Sequence, residues 1–121
     1  MTSIDNWVRV LRMARHEAFQ GSLPLLVLKI LSRRGPLHGY GITLRIHETT
    51  NDALRVEEGS LYPALHRMEE AGWIKAKWTI TDNKRRARVY EITTEGRERL
   101  EVDEKRWVAV NTAVLRALKN A

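Results

Sequence analysis

The sequence predicts a mainly α protein carrying a small β-hairpin, an α+β fold, and three observations predict it. Apolar residues recur at three- and four-residue steps through most of the first 72 positions. They alternate from residue 74, and helical spacing returns after residue 94. The chain has 121 residues, enough to bury one core but not two.

Each element follows from its residues. Residues 4–20 put Ile4, Trp7, Val8, Leu11 and Ala14 on one helical face, with Arg9, Arg12 and Arg15 outside. Gly21 and Ser22 are expected to break this helix, with Ser22 capping a second that holds Pro24 in its first turn. The second helix, LPLLVLKILSRR, is apolar almost all round and should be the buried centre; Gly35 and Pro36 end it. LHGYGITLRIHETTN reads as a third, shorter helix with Tyr40, Leu44 and either Ile46 or His47 on its inner side. Gly39 and Gly41 fit better near its start, or where another backbone comes close, since each costs up to ~1 kcal/mol relative to alanine in a helix interior. Asn51 and Asp52 close it, and residues 54–56 are a candidate short strand.

The stretch VEEGSLYPALHRMEEAGWI carries a fourth helix, with Gly59 or Ser60 as N-cap and Pro63 in the first turn, where a missing N–H costs little. Leu61, Leu65 and Met68 line its inner face, and Gly72 ends it. IKAKWTI then alternates Ile74, Ala76, Trp78 and Ile80 against Lys75, Lys77 and Thr79, a half-buried strand. TDNKRRA is a polar turn and RVYEIT the returning strand. Thr94 is expected to cap a last helix reaching about residue 119, with Leu100, Trp107, Val110, Val114 and Leu118 in one stripe. Three helices followed by a hairpin form the winged helix-turn-helix arrangement. In it the helix before the hairpin enters a DNA major groove, and the turn between the strands is the wing. The expected organisation is an N-terminal helix over 1–20, the winged unit over 21–93 and a C-terminal helix over 94–121.

Composition narrows the function. There are 21 Lys and Arg against 15 Asp and Glu, a net charge of +6, which suits a polyanionic partner. No cysteine is present, which excludes disulfides and thiolate metal sites. The start lacks a secretory pattern, and the longest apolar run, LPLLVL, is far short of the ~20 residues a membrane span needs, so a cytoplasmic protein is expected. The four histidines, His16, His38, His47 and His66, show none of the spacings of a zinc site. No phosphate-binding loop, dinucleotide glycine pattern or nucleophile elbow occurs. No enzyme, cofactor or metal is expected.

The hairpin is the most informative feature. Lys75, Lys77, Lys84, Arg85, Arg86 and Arg88 lie close together in sequence, opposed only by Asp82. Charge runs are usually solvated faces, but this one projects from a hairpin tip with almost no compensating acid, as phosphate contact requires. On the fourth helix Ser60, Tyr62, Pro63, His66 and Arg67 remain for the outer face. Ser60 and Tyr62 suit a phosphate or base edge, and His66 and Arg67 are donors that could reach base edges. Glu57 and Glu58 favour the helix dipole but would repel phosphate, so they should point off a duplex.

Three blocks, LLVLKILSRRGPLHGYGI, VEEGSLYPALHRMEEAGWI and RRARVYEITTEGRERL, resemble in this order the PadR family of bacterial transcriptional regulators. The resemblance implies a homodimeric winged-helix repressor binding a pseudo-palindromic operator. It places His38 and Tyr40 beside the DNA backbone, Ser60, Tyr62, Pro63, His66 and Arg67 on the recognition helix, and Lys84 to Arg88 in the wing. The wording RVEEGSLYPALHRMEE with NKRRARVYEIT is similar to a branch often encoded beside ABC-transporter permeases. The resemblance also implies that the terminal helices pair two copies, through Trp7, Leu11, Leu100, Trp107, Val110, Val114 and Leu118. In some relatives a tryptophan placed like Trp107 stacks a flat aromatic ligand; the plainer role is a dimer-core anchor. A single C-terminal helix is similar to the short members of the family. The alternative is a protein–protein adaptor that keeps the winged scaffold and turns its basic face to an acidic partner.

Overall fold

The computed structural model describes residues 20–121 together with Asn6 and Arg9. Trp7, Leu11 and nearly all of the helix expected over 4–20 lie outside the described residues. The chain then runs α1 (Gln20–Arg34), β1 (Leu37–His38), α2 (Gly39–Thr49), α3 (Glu58–Glu70), β2 (Ile74–Ile80), β3 (Arg86–Ile92) and α4 (Thr94–Asn120). This is the α+β architecture expected: helices around a small antiparallel sheet of order β1-β3-β2.

Helix α1 forms the centre because it is apolar on nearly every side. Val27, Leu28 and Leu31 are wholly buried and meet Ile42 and Ile46 of α2 and Leu61, Leu65 and Met68 of α3. The sheet closes this core with Ile74, Tyr90 and Ile92. No helix among the described residues is long and apolar enough to cross a membrane.

Several local expectations change. Gly21 and Ser22 lie inside α1 instead of interrupting it; Leu23, next to them, is buried, and that burial offsets the poor helix propensity of a glycine. Helix α2 buries Gly39, Ile42, Thr43 and Ile46, so Tyr40 and Leu44 face outward, not inward. The helix starts at Gly39, and the three- and four-residue steps from there select 42, 43 and 46. Residues 54–56 form no strand; Val56 N–H instead donates to His47 Nε2 at 3.3 Å. The third strand is Leu37–His38, paired with Tyr90 and Val89. Helix α3 starts at Glu58 with Glu57 as N-cap, earlier than expected, so Pro63 sits beyond the first turn.

The hairpin register runs from Ile74 opposite Ile92 to Ile80 opposite Arg86. One sheet face therefore carries Ile74, Ala76, Trp78 and Ile80 with Ile92, Tyr90, Arg88 and Arg86. Its inner end is core. Its outer end projects beyond the helices, leaving Trp78 56% and Ile80 76% exposed, so the expected half-buried strand is buried only at its base.

The base of the hairpin is stitched to α4. Thr93, not Thr94, is the N-cap, accepting from Gly96 N–H at 3.0 Å while its hydroxyl donates to the Gly72 carbonyl at 2.6 Å. Thr93 N–H donates to the Trp73 carbonyl at 3.0 Å. Gly96 has no alternative there: a Cβ would run into the Trp73 carbonyl oxygen and lie 2.8 Å from Ile92 Cγ1.

Candidate nucleic-acid interface

A groove of about 540 Å³ separates α3 from the outer half of the hairpin and opens beside the start of α2. Tyr40, Tyr62, His66, Trp78, Arg86 and Arg88 contribute to its walls. Of the residues expected to meet DNA, it gathers His38, Tyr40, Tyr62, His66, Arg86 and Arg88 from four separate elements. Pro63 and Arg67 are exposed on α3 and Ser60 is half-buried at its first turn, outside the groove wall. Lys84 and Arg85 stand at the exposed hairpin tip, where Thr81 N–H donates to the Arg85 carbonyl at 2.9 Å. Lys77 falls on the opposite sheet face from Arg86 and Arg88, across from Val89.

Close packing fixes Tyr62. Its ring lies over the start of α2, and a Cβ at Gly39 would sit 2.7 Å from the Tyr62 hydroxyl oxygen. Glycine at 39 thus lets a half-exposed tyrosine rest on a helix start that no side chain caps. The first-turn N–H groups of α2 and the Tyr62 hydroxyl stand together at the groove, donors of the kind a phosphate oxygen accepts from.

The wing is less uniformly cationic than its sequence. Lys75 Nζ pairs with Glu91 at 3.1 Å, and Arg88 Nη2 with Glu69 of α3 at 2.8 Å. The Lys75 hydrogen bond and charge hold the Glu91 carboxyl below its ordinary range. Lys77, Lys84, Arg85 and Arg86 pair with no carboxylate among the described residues. The Arg86 guanidinium lies 4.7 Å from the Trp78 ring centroid; that of Arg88 lies 5.6 Å from Trp78 and 5.8 Å from Tyr90. Burial raises the Tyr90 hydroxyl above its ordinary pKa of 10.0, against the opposing pull of Arg88. That shift keeps the ring neutral, and its contribution to stability is lost as pH climbs above the unfolded value near 10. A Tyr90→Phe variant should therefore show a shallower alkaline fall in stability in melts between pH 9 and 11 (approximate limits set by that pKa).

Glu69, Trp78 and Gly39 had no part in the interface expected from sequence. The alternation of β2 put Trp78 on one face with Ile74, Ala76 and Ile80, but it could not show that this end of the strand leaves the core or stands opposite Arg88.

At the other end of the molecule, α4 buries only Gly96 and Leu100. Leu100 belongs to the chain's own core, so the free stripe starts after it. Trp107, Val110, Val114 and Leu118 are 47–74% exposed. Lys29 Nζ reaches Glu104 Oε1 at 2.8 Å and ties α1 to α4. Trp107 borders a second groove with Trp73, Arg99, Asp103, Arg106 and Asn111, in which Arg99 lies 4.9 Å from the Trp73 centroid.

Known proteins share this plan. A PadR family transcriptional regulator from Eggerthella lenta superposes with a TM-score of 0.78 at 26% identity, covering 93% of this chain and 96% of that one. A transcriptional regulator from Clostridium thermocellum gives 0.75 at 26% identity, covering 83% and 96%. The negative transcriptional regulator PadR of Bacillus subtilis is 30% identical over 70 residues, 58% of this chain and 38% of its own length. A transcriptional regulator of Mycobacterium tuberculosis is 36% identical over 69 residues, 57% of this chain and 61% of its own. Both of these alignments span less than two thirds of the relative. The model described as the transcriptional regulator PadR-like family matches residues 27–102, from the centre of α1 through the hairpin into α4. The chain therefore belongs to the PadR-like family, whose members are transcriptional regulators and not enzymes.

Proposed function

We propose that this regulator acts as a homodimeric repressor that binds a pseudo-palindromic operator through the α3–hairpin face and pairs through α4. The observation that carries the DNA reading is the groove itself. It brings Tyr40, Tyr62, His66 and Arg86 to one surface, beside an uncapped helix start and next to a hairpin tip bearing Lys84 and Arg85. Exposed Arg67 and Pro63 on α3 face the space a major groove would fill, with Ser60 at the entering end and His38 at the backbone side. Lys77 would follow the phosphates on the far side of the wing. Arg88, already paired with Glu69, is set apart from the phosphate-contacting cations.

Negative regulation is supported by the name of the Bacillus subtilis relative. Pairing through α4, with the winged unit over 21–93 and the terminal helices outside it, accounts for the exposed Trp107, Val110, Val114 and Leu118. Two-fold symmetry would set the two α3 helices about one DNA turn, ~34 Å, apart. In this arrangement Trp107 is first a pairing anchor. Its groove, shared with Trp73 and flanked by Arg99, would also accept a flat aromatic effector.

A gel-shift titration on the intergenic DNA upstream of its own gene is the direct test. Specific binding should weaken steeply as salt rises, and footprinted half-sites should be spaced by whole turns. Replacing Arg85 and Arg86 by alanine should weaken binding to every duplex and flatten the log K against log salt slope of the bound dimer by about 3.6, at about 0.9 for each of the four phosphates no longer neutralised. An unchanged slope would remove the wing from the interface. Equal affinity for operator and random duplex, with a defined acidic protein recovered in a pull-down, would favour the adaptor instead.

A further inference from the structure

Arg86 and Arg88 are alternate residues on one sheet face, yet their surroundings differ. Arg88 is held by Glu69 at 2.8 Å and stands opposite Trp78 in the strand register. Glu69 is about three-quarters buried, and Arg88 Nε is buried with no hydrogen-bond partner among the described residues. Arg86 has no carboxylate among the described residues and touches Trp78 more closely, at 4.7 Å. Trp78 itself is 56% exposed, an unusual place for the largest apolar side chain of a wing. It is the surface on which both guanidinium groups rest.

We infer that Glu69, Arg88 and Trp78 form a positioning rack that fixes the hairpin against α3 and presents Arg86 to the duplex. The inference rests on the reading of the α3–hairpin face as the DNA-binding face. Glu69 belongs to α3 and anchors Arg88 of β3. Arg88 and Arg86 bracket the exposed indole of β2, so three elements are locked through one chain of contacts. A free arginine on a two-stranded hairpin would lose rotamer freedom when it meets a phosphate. Stacking on Trp78 removes part of that freedom beforehand. Glu69 is then a carboxylate retained beside a polyanion because it orients a cation, and Trp78 acts through Arg86 without contacting bases.

The rack and plain electrostatics predict opposite signs. Removing an acid from a DNA-facing surface ordinarily tightens binding, whereas Glu69→Gln should weaken it about five-fold, on the scale of one charge-assisted hydrogen bond. Binding would be measured by fluorescence anisotropy on a 30-base-pair mixed-sequence duplex across a salt series (length approximate, ~30, to span two half-sites). Arg88→Ala should weaken binding while leaving the salt slope unchanged, because its charge is already matched by Glu69. Arg86→Ala should lower the slope by about 1.8, about 0.9 from each copy in the dimer. Trp78→Leu should weaken binding a few-fold, on the order of an exposed cation–π contact, and Trp78→Phe should restore most of it. Thermal melts of each variant separate these effects from unfolding. Tighter binding by Glu69→Gln, or a slope reduced by Arg88→Ala as much as by Arg86→Ala, would overturn the rack. Absence of any duplex binding by the wild-type protein at low salt would overturn the proposed function itself, and the rack with it.

Discussion

Gly96→Ala should be among the most destabilising single substitutions available, lowering stability by about 3 kcal/mol and the melting temperature by roughly 10 °C or more. The added methyl has nowhere to go. It would meet the Trp73 carbonyl oxygen, which already accepts from Thr93 N–H, and Ile92 Cγ1 at 2.8 Å. Backbone on one side and a core side chain on the other leave little room for relaxation. Alanine improves intrinsic helix propensity by ~1 kcal/mol, so a propensity argument alone predicts stabilisation. Differential scanning calorimetry decides the sign. An unchanged or raised melting temperature would show that the first turn of α4 can move away from the hairpin base.

Val114→Asp should convert the protein to a monomer in sedimentation velocity and lower operator affinity by about a hundred-fold. Val114 is half-exposed on the free part of α4, so the chain's own core is untouched by the change. Across a two-fold interface each residue counts twice, so burying the exposed half of this side chain in both copies would contribute about 1.5–3 kcal/mol, and two opposed carboxylates would add repulsion. The loss of DNA affinity follows from the loss of the second half-site, since two linked sites commonly bind 10²–10⁴ times more tightly than one, roughly stated. A variant that stays dimeric would move the pairing surface off this stretch of α4. A monomer that keeps full affinity would instead detach pairing from recognition.

Much of this fold was legible because its elements carry strong periods. The run Val27, Leu28, Leu31 announces a helix with no polar side, and Leu61, Leu65 and Met68 announce one with a clear outer face. Strand β2 was legible to the residue because its seven positions alternate between two turn signals. Strand β1 was not, since two residues carry no period at all; only the pairing of Leu37 with Tyr90 makes it a strand. The inner face of α2 was misread because Tyr40, Leu44 and His47 recur at the same three- and four-residue steps as Gly39, Ile42, Thr43 and Ile46, and only the packing shows which stripe is buried. In the interface, residue types pointed correctly to a basic wing beside α3. They could not show which cations remain unpaired, because Glu69 and Glu91 approach Arg88 and Lys75 only after the chain has turned.

The joint at Thr93 has a mechanical meaning. Strand β3 ends at Ile92 and α4 begins at Thr94, so a single residue, bonded at its N–H and hydroxyl to the Gly72–Trp73 corner, separates the hairpin from the long helix. Lys29 and Glu104 brace the same helix farther along. Such a joint leaves no free linker residue between strand and helix. In the proposed dimer the crossing angle of the two long helices would be handed on to both hairpins as a set pitch, so inserting one base pair between half-sites, roughly a tenth of a rotation, should weaken binding.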